Sequence, residues 1–403
     1  MITDISELTA LATRGLIPMF DPTTKLFCAR LALSGSGLAR QGQSHRYTIM
    51  TLLGLREREL SGAPIPFDSQ RIYEAFVRDP SWIKSIGDLG LLIWLAAEFN
   101  PDYLEIIFET FELKSVLSRF KDGRQGSTTE LAWFLAGLSH AALTSPLLVA
   151  KLKDLAVETF RLTKKNQGNS GFFGHLAIRK SVSGLVRGRI GSFADQIYPI
   201  YSFSKFAIAF HTEEPLKPAL RCARAICEAQ GDQGQWWWLY DSAQGAVYSR
   251  YPVYSVHQHA MAPMGLFAFE KATGQGFQDH IYRGLRWIYG DNELGVDMRD
   301  QNEGLVWRCI LPKNRRTKYW DIAAGLLRLR KKGPPIRALE VLYEDWPYEL
   351  GWLLYAFSRN KLTVSADPKI AIASQFEKLQ SSGHSEVFEP NNDKPKTVSC
   401  KRS

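Results

Sequence analysis

The stretch Val256-His-Gln-His-Ala-Met-Ala-Pro-Met-Gly-Leu-Phe-Ala-Phe269 is apolar on nearly every face, yet it opens with three polar side chains. A helix apolar all round belongs inside a protein, not half in water. Six other runs repeat the pattern. They are SHRYTIMTLLGL from Ser44, GDLGLLIWLAAEF from Gly87, TELAWFLAGL from Thr129, ADQIYPIYSFSKFA from Ala194, YWDIAAGLL from Tyr319 and YELGWLLYAF from Tyr348. Amphipathic stretches such as LKPALRCARAICEAQ and PLLVAKLKDLAVETFRLTKK separate them.

A period runs through this alternation. Gln167-Gly-Asn-Ser-Gly171-Phe-Phe173 matches Gln230-Gly-Asp-Gln-Gly234-Gln-Trp236 at 63 residues, and Gly295 keeps the glycine 61 further on. Gln196, Gln258 and Trp320 follow at steps of 62. Buried helix, amphipathic helix, buried helix predicts an all-α fold: an α/α toroid of six or seven helical hairpins. WWWLYDSAQGAVYSRYP alternates around a turn and predicts a β-hairpin. FFGHLAIRKSVSGLVRGRIG, GVDMRDQNEGLVWRCILP and MFDPTTKLFCARLALSGSG predict similar inserts. These precede buried helices, so they are expected at one end only. One toroid domain is expected over residues 1–360, with a mostly disordered tail over 361–403, where Ser, Lys, Asn, Asp and Pro dominate.

Apolar residues make up 45% of the 403 and aromatic ones 12%, enough for a large core. The net charge of +9 favours anionic partners without naming one. Five cysteines, with no CxxC pair, point to a reducing compartment. The N-terminus has early acids and no apolar core of a signal peptide, and no uncharged run is long enough to cross a bilayer. A soluble cytoplasmic protein is expected. No cysteine joins a histidine at ligand spacing, so no metal and no cofactor are expected. No nucleic-acid-binding module appears.

The Gln-x3-Gly-x-Trp/Phe element resembles the QW repeat of terpene cyclases such as squalene–hopene cyclase, in which the glutamine caps a helix end and the aromatic stacks below it. The resemblance covers roughly residues 155–300. It implies the α/α toroid shared by terpene cyclases, prenyltransferase β subunits, lanthionine cyclases and, more distantly, six-hairpin glycosidases, polysaccharide lyases and sugar epimerases. The Asp-x-Asp-Asp acid of class II terpene cyclases is missing; Asp297-Met-Arg-Asp300 has the wrong spacing.

In such a ring the starts of the inner helices gather at one end. That places Arg46, Asp88, Glu130, Asp195, His257, Asp321 and Glu349 around one pocket. Acidic side chains also cap helix starts, a reading that covers Asp88 and Asp195 and extends to Glu130; cations oppose the dipole there, so Arg46 and His257 ask for a pocket role. His257, Glu130, Asp195 and Asp321 are the acid–base candidates. Arg46, Tyr47, Asp88, Gln196, Tyr198, Tyr254, Gln258, Tyr319, Trp320 and Tyr348 are the candidates for holding substrate, the aromatics because sugars stack on them and cations are stabilised by them. Basic hairpin residues (Arg179, Lys180, Arg187, Arg189, Arg308, Lys313, Arg315, Arg316, Lys318) predict a positive rim. The expected substrate is a small molecule or oligosaccharide, anionic ones included, and the expected function a carbohydrate lyase, epimerase or hydrolase. The alternatives are a terpene cyclase or prenyl-transfer enzyme, and a non-catalytic toroid that binds a glycan or a partner.

Overall fold

The computed structural model describes residues 5–35, 37–121, 127–176, 188–314, 338–360 and 362. Tyr319, Trp320 and Asp321, the basic residues Arg179, Lys180, Arg187, Arg315, Arg316 and Lys318, and all of the expected tail except Leu362 lie outside them.

Thirteen helices occur among the described residues: α1 (Ile5–Gly15), α2 (His45–Leu60), α3 (Ser69–Val77), α4 (Ile86–Phe99), α5 (Tyr103–Phe111), α6 (Leu113–Lys121), α7 (Thr128–Thr144), α8 (Pro146–Lys164), α9 (Phe193–Phe210), α10 (Leu216–Glu228), α11 (Ala262–Thr273), α12 (Gln278–Ile288) and α13 (Pro347–Phe357). The inner layer is α2, α4, α7, α9, α11 and α13. Each packs on the next, and α13 packs back on α2, so the inner helices among the described residues close a ring of six. The outer helices α3, α5, α8, α10 and α12 back their inner partners, and the N-terminal α1 lies against α13. The architecture is the expected α/α toroid. Inner helices are buried on nearly every face: α4 from Ile86 to Ala97, and α9 except at Ala194, Lys205 and Ile208.

Close approach of the inner helices needs residues without a Cβ. A Cβ on Gly54 of α2 would sit 1.9 Å from the Gly351 carbonyl oxygen of α13, and one on Gly137 of α7 would sit 2.2 Å from that of Gly90 in α4. The ring therefore closes at a glycine-to-glycine crossing.

The repeat motif locks each hairpin to the next. Gln167 Nε2 donates to the carbonyls of Gly171 and Pro218, 2.9 and 2.8 Å; Gln230 Nε2 donates to those of Gly234 and His280, both 2.9 Å. Each glutamine thus ties the end of one outer helix to the first turn of the next. The glycines stand at positive φ, 96° and 89°, where a side chain would strain the backbone.

The strands are short: β1 (Phe20–Asp21), β2 (Leu26–Ser34), β3 (Gly37–Gln43), β4 (Ile190–Ser192), β5 (Leu239–Asp241), β6 (Ala246–Ser249), β7 (Val253–Tyr254), β8 (Arg299–Asp300), β9 (Leu305–Val306), β10 (Cys309–Pro312), β11 (Leu339–Leu342) and β12 (Glu344–Asp345). β5–β6 and β8–β9 are the expected hairpins. β7, β10 and β11 form one antiparallel sheet, with Cys309 opposite Leu342 on one side and Tyr254 on the other. β4 and β7 lead directly into the inner helices that follow, so this end carries the site. Cys28, Cys222, Cys227 and Cys309 are buried, and no disulfide occurs among the described residues. None of the described helices is long and apolar enough to cross a membrane.

Candidate active site

The inner-helix starts are built by a common device. Ser85, Ser127 and Ser192 each cap a helix in a reciprocal capping box with the third helical residue: Asp88, Glu130 and Asp195. Glu349 is the third residue of α13. Four carboxylates thus stand one turn inside four inner helices, at one end of the ring.

Three of the four are also paired with a basic group from the start of the preceding inner helix. Arg46 of α2 donates to Asp88 Oδ1 from Nε and Nη2, 2.9 and 2.7 Å. His175 Nδ1, whose residue's carbonyl accepts from Thr128 N at the start of α7, lies 3.0 Å from Asp195 Oδ2. Arg308, whose carbonyl accepts from Ser255 N before α11, is ion-paired with Glu349 Oε1. Glu130 is the exception: it accepts from the Ser127 amide at 3.3 Å, is paired with no basic group among the described residues, and is half-buried.

Asp195 is the most heavily engaged. Besides His175 it accepts from the amides and hydroxyls of Thr129 and Ser192 at 2.8–3.2 Å, tying α7 to α9. Glu349 is completely buried, and burial pushes its carboxyl up to about 7 although Arg308 opposes the shift. Asp345, equally buried, is raised by burial and by Glu349. Arg308 pairs with Glu349, while Asp345 accepts from the amides of Val306 and Trp346 at 2.9 and 2.7 Å.

His257 begins a π turn (His257–Met261) rather than an α turn. Pro263 explains it: with no N–H, it cannot bond the carbonyl four residues back, and the chain instead closes a bond from Ala262 N to His257 O. The His257 ring packs on Phe193 at 4.5 Å and Tyr254 at 5.2 Å. Nδ1 lies 3.4 Å from the Trp236 carbonyl, so Nδ1 carries the proton and Nε2 the lone pair. Burial holds the imidazole neutral, its pKa down to about 3. No described group hydrogen-bonds Nε2. His259 is fully buried with neither ring nitrogen partnered in the structure.

Aromatic side chains make the wall. Tyr47 stacks on Tyr348 at 4.7 Å and meets Trp346 at 5.4 Å. The Arg308 guanidinium lies 3.3 Å over Trp346 and 5.1 Å from Tyr254, and that of Arg46 lies 5.2 Å from Trp133. Below them Tyr198 accepts from Trp352 Nε1 at 2.9 Å, which leaves its hydroxyl hydrogen to donate, and burial raises its pKa. Arg46, Tyr47, Asp88, Glu130, Asp195, Tyr198, Tyr254, His257 and Tyr348 therefore share one end of the ring. Gln196 and Gln258 sit deeper. Their amides pin the backbone of Phe173 and Trp236, both are fully buried, and they build the site's walls from behind.

Sequence reasoning missed His175 and Trp346. His175 had a signal: it stands four residues after Gly171, as Trp238 stands four after Gly234, and the Trp238 carbonyl likewise caps an inner helix, accepting from Phe193 N at 3.0 Å. A second polar group lies toward the other end of the ring, where Glu98, His140, Tyr201 and Tyr355 form a chain of hydrogen bonds of 2.8, 2.8 and 2.5 Å.

No family model matches this chain, and no curated protein matches it. Solved structures do. A D-mannose isomerase aligns with a TM-score of 0.60 at 9% identity, covering 88% of this chain and 96% of its own. A sugar epimerase from a ruminal bacterium aligns at 0.59 and 11% identity, covering 89% and 100%. An unsaturated glucuronyl hydrolase from Streptococcus agalactiae aligns at 0.56 and 12% identity, covering 88% and 90%. At these identities the likeness establishes the six-hairpin, glycosidase-like toroid and nothing finer. The match to the terpene cyclase side of the resemblance is confined to the repeat motif itself.

Proposed function

We propose that this protein is a carbohydrate enzyme that moves a proton next to a sugar carbonyl, an epimerase or isomerase. The observation that carries the reading is His257. Its Nδ1 is held by a carbonyl and no described group bonds its Nε2, and it stands against Tyr254 at the end of the ring where Tyr47, Tyr348 and Trp346 meet. Nε2 is the atom placed to accept a proton, and a positioned general base contributes about 10²–10⁴-fold to rate. Arg46 and Arg308 offer N–H donors to sugar oxygens, and Tyr198 offers a hydroxyl. Glu130, the one start carboxylate not paired with a basic group among the described residues, is the second acid–base candidate. The named neighbours include an isomerase and an epimerase, which agrees with the reading.

Hydrolysis or elimination fits less well, because glycoside hydrolysis needs two carboxyl groups facing the scissile bond. Asp88, Asp195 and Glu349 are committed to basic partners. A hydrocarbon substrate fits worst, since it would strip water from these ion pairs without replacing it.

The test is proton exchange. Incubated with D-mannose, D-glucose or D-fructose in D2O, the wild type should wash out the proton beside the carbonyl, read by NMR, and His257→Gln should lose that exchange by about 10²-fold or more. Exchange unchanged in His257→Gln would remove the histidine from the chemistry. No exchange with any of the sugars would refute the reading.

A further inference from the structure

We propose a second sugar-binding site on this protein: a cavity beside the start of α2, between Lys25, His45, Asp79 and Trp82, that takes one sugar residue of a glycan. It goes beyond the proton-transfer reading and does not depend on it. The cavity holds about 170 Å³, the share of about six waters and the scale of one sugar ring. Three separate pieces of chain wall it. The β1–β2 turn brings Lys25, the first residue of α2 brings His45, and the end of α3 with the 3₁₀ turn Pro80–Trp82 brings Phe76, Asp79 and Trp82. Arg46 of the cup follows His45 directly, and the Lys84 and Ser85 amides beyond Trp82 donate to Asp88, both at 3.1 Å. The cavity thus neighbours the Arg46–Asp88 pair from outside the inner ring.

Its wall is aromatic. The His45 ring stacks on Trp82 at 5.7 Å, 7° from parallel, and Phe76 meets His45 and Trp82 edge-on at 5.7 and 4.9 Å. Such a set offers flat apolar faces to the C–H side of a sugar ring. The polar groups around it have capacity to spare. No described group hydrogen-bonds the His45 imidazole. Lys25 and Asp79 line the same cavity with opposite charges, yet neither forms an ion pair with the other or with any described residue. Asp79 accepts from the Ser81 amide at 3.0 Å, which leaves lone pairs on its carboxylate. An ammonium and a carboxylate held apart across a gap ask for groups that accept from one and donate to the other. Hydroxyls do both, and a sugar ring carries several on one rigid frame.

Lys25 stands at φ 59°, the left-handed region that a turn normally gives to glycine or asparagine. Its amide closes the turn on the Asp21 carbonyl at 2.9 Å, a bond that a glycine would make as well without the strain. The turn therefore gains nothing from a side chain at this position. The cavity does, because the lysine supplies its ammonium.

The test titrates full-length protein with the methyl α-glycosides of D-mannose, D-glucose and D-galactose, which have no free carbonyl and so are not turned over by proton transfer beside one. Binding is read by saturation-transfer NMR. At least one glycoside should bind. Lys25→Gly and Asp79→Asn should each weaken that binding by about 10-fold or more, the effect of losing a hydrogen bond to a charged group. Both variants should fold: Lys25→Gly relieves the backbone and is expected to melt no lower than wild type, and asparagine caps the 3₁₀ turn as aspartate does. His257→Gln, a change in the cup, should bind as wild type does. Affinity within about twofold of wild type in either Lys25→Gly or Asp79→Asn overturns the proposal, and so does the absence of saturable binding of any of the three glycosides. Loss of binding in His257→Gln would put the glycoside in the cup and overturn it too. None of these results bears on the proton-exchange test of His257, and a failed exchange test leaves this site standing.

Discussion

Arg308 and Glu349 show what a single pair can decide. Glu349 is wholly buried and Arg308 nearly so, and the guanidinium is held between that carboxylate and the face of Trp346. Breaking such a pair strands a buried charge, which typically costs 3–5 kcal/mol, whereas replacing both members with apolar groups costs far less. Arg308→Met is therefore expected to lose about 3–5 kcal/mol in urea unfolding, and Arg308→Met with Glu349→Leu to recover most of it. Equal losses would mean that the pair's energy lies in packing against Trp346 and not in its charge.

The buried histidines set the response to acid. Burial lowers His257 and His259 to about 3 and His140 and His280 to about 4. A group depressed on folding adds stability above its unfolded pKa of about 6.5 and loses it as pH falls toward its folded value. Glu349, raised to about 7, works the other way: its contribution is present below about 4.5 and is lost as pH rises through 7. Asp345 and Glu57 are raised likewise; the four histidines outweigh the three raised carboxyls, so stability is expected to fall between pH 6.5 and pH 4. His140→Gln should flatten that fall by about one proton, at most about 1.4 kcal/mol per pH unit. An unchanged slope would show that His140 does not titrate on unfolding in this window.

Between elements, the ring depends on glycine crossings. A Cβ on Gly54 would meet backbone of Gly351 at 1.9 Å, and backbone cannot swing aside as a side chain can. Overpacking of this kind costs at least about 1–3 kcal/mol. Gly54→Ala should lower the urea midpoint by that amount or more. Gly35→Ala, where a Cβ would meet nothing within 4 Å, should leave it in place. An unaffected Gly54→Ala would mean that the contact of α2 with α13 does not close the ring. These elements were readable in the chain because burial on all faces and the Ser-x-x-Asp/Glu caps are local signals: Ser85–Asp88, Ser127–Glu130 and Ser192–Asp195 each span four residues. The π turn at His257 was not read, although Pro263 held its cause. His175 was not read because its meeting with Asp195, 20 residues on in sequence, is set by how its loop docks on the start of α7, and Trp346 because the backbone bond from Arg308 to Glu344 brings it under the guanidinium.

Across the whole ring, chemistry is sorted by end. Helix starts carry four carboxylates, the basic partners of three of them and His257, and the middle is filled by aromatic rings, with Trp94 stacked on His140, Tyr201 and Trp352 at 4.6–5.6 Å. Trp94 thus packs directly on the Glu98–His140–Tyr201–Tyr355 chain, which lies further along the inner helices than their starts. The central claim is that sugar binds in the cup at the helix starts. A crystal soaked with D-mannitol, an open-chain polyol without a carbonyl to react, tests it most directly. The account predicts density for the polyol bounded by Tyr47, Tyr254, His257 and Arg308, with its oxygens within hydrogen-bonding distance of Arg46 or Arg308. Polyol found only beside Glu98 and His140, with the cup holding water alone, would contradict it.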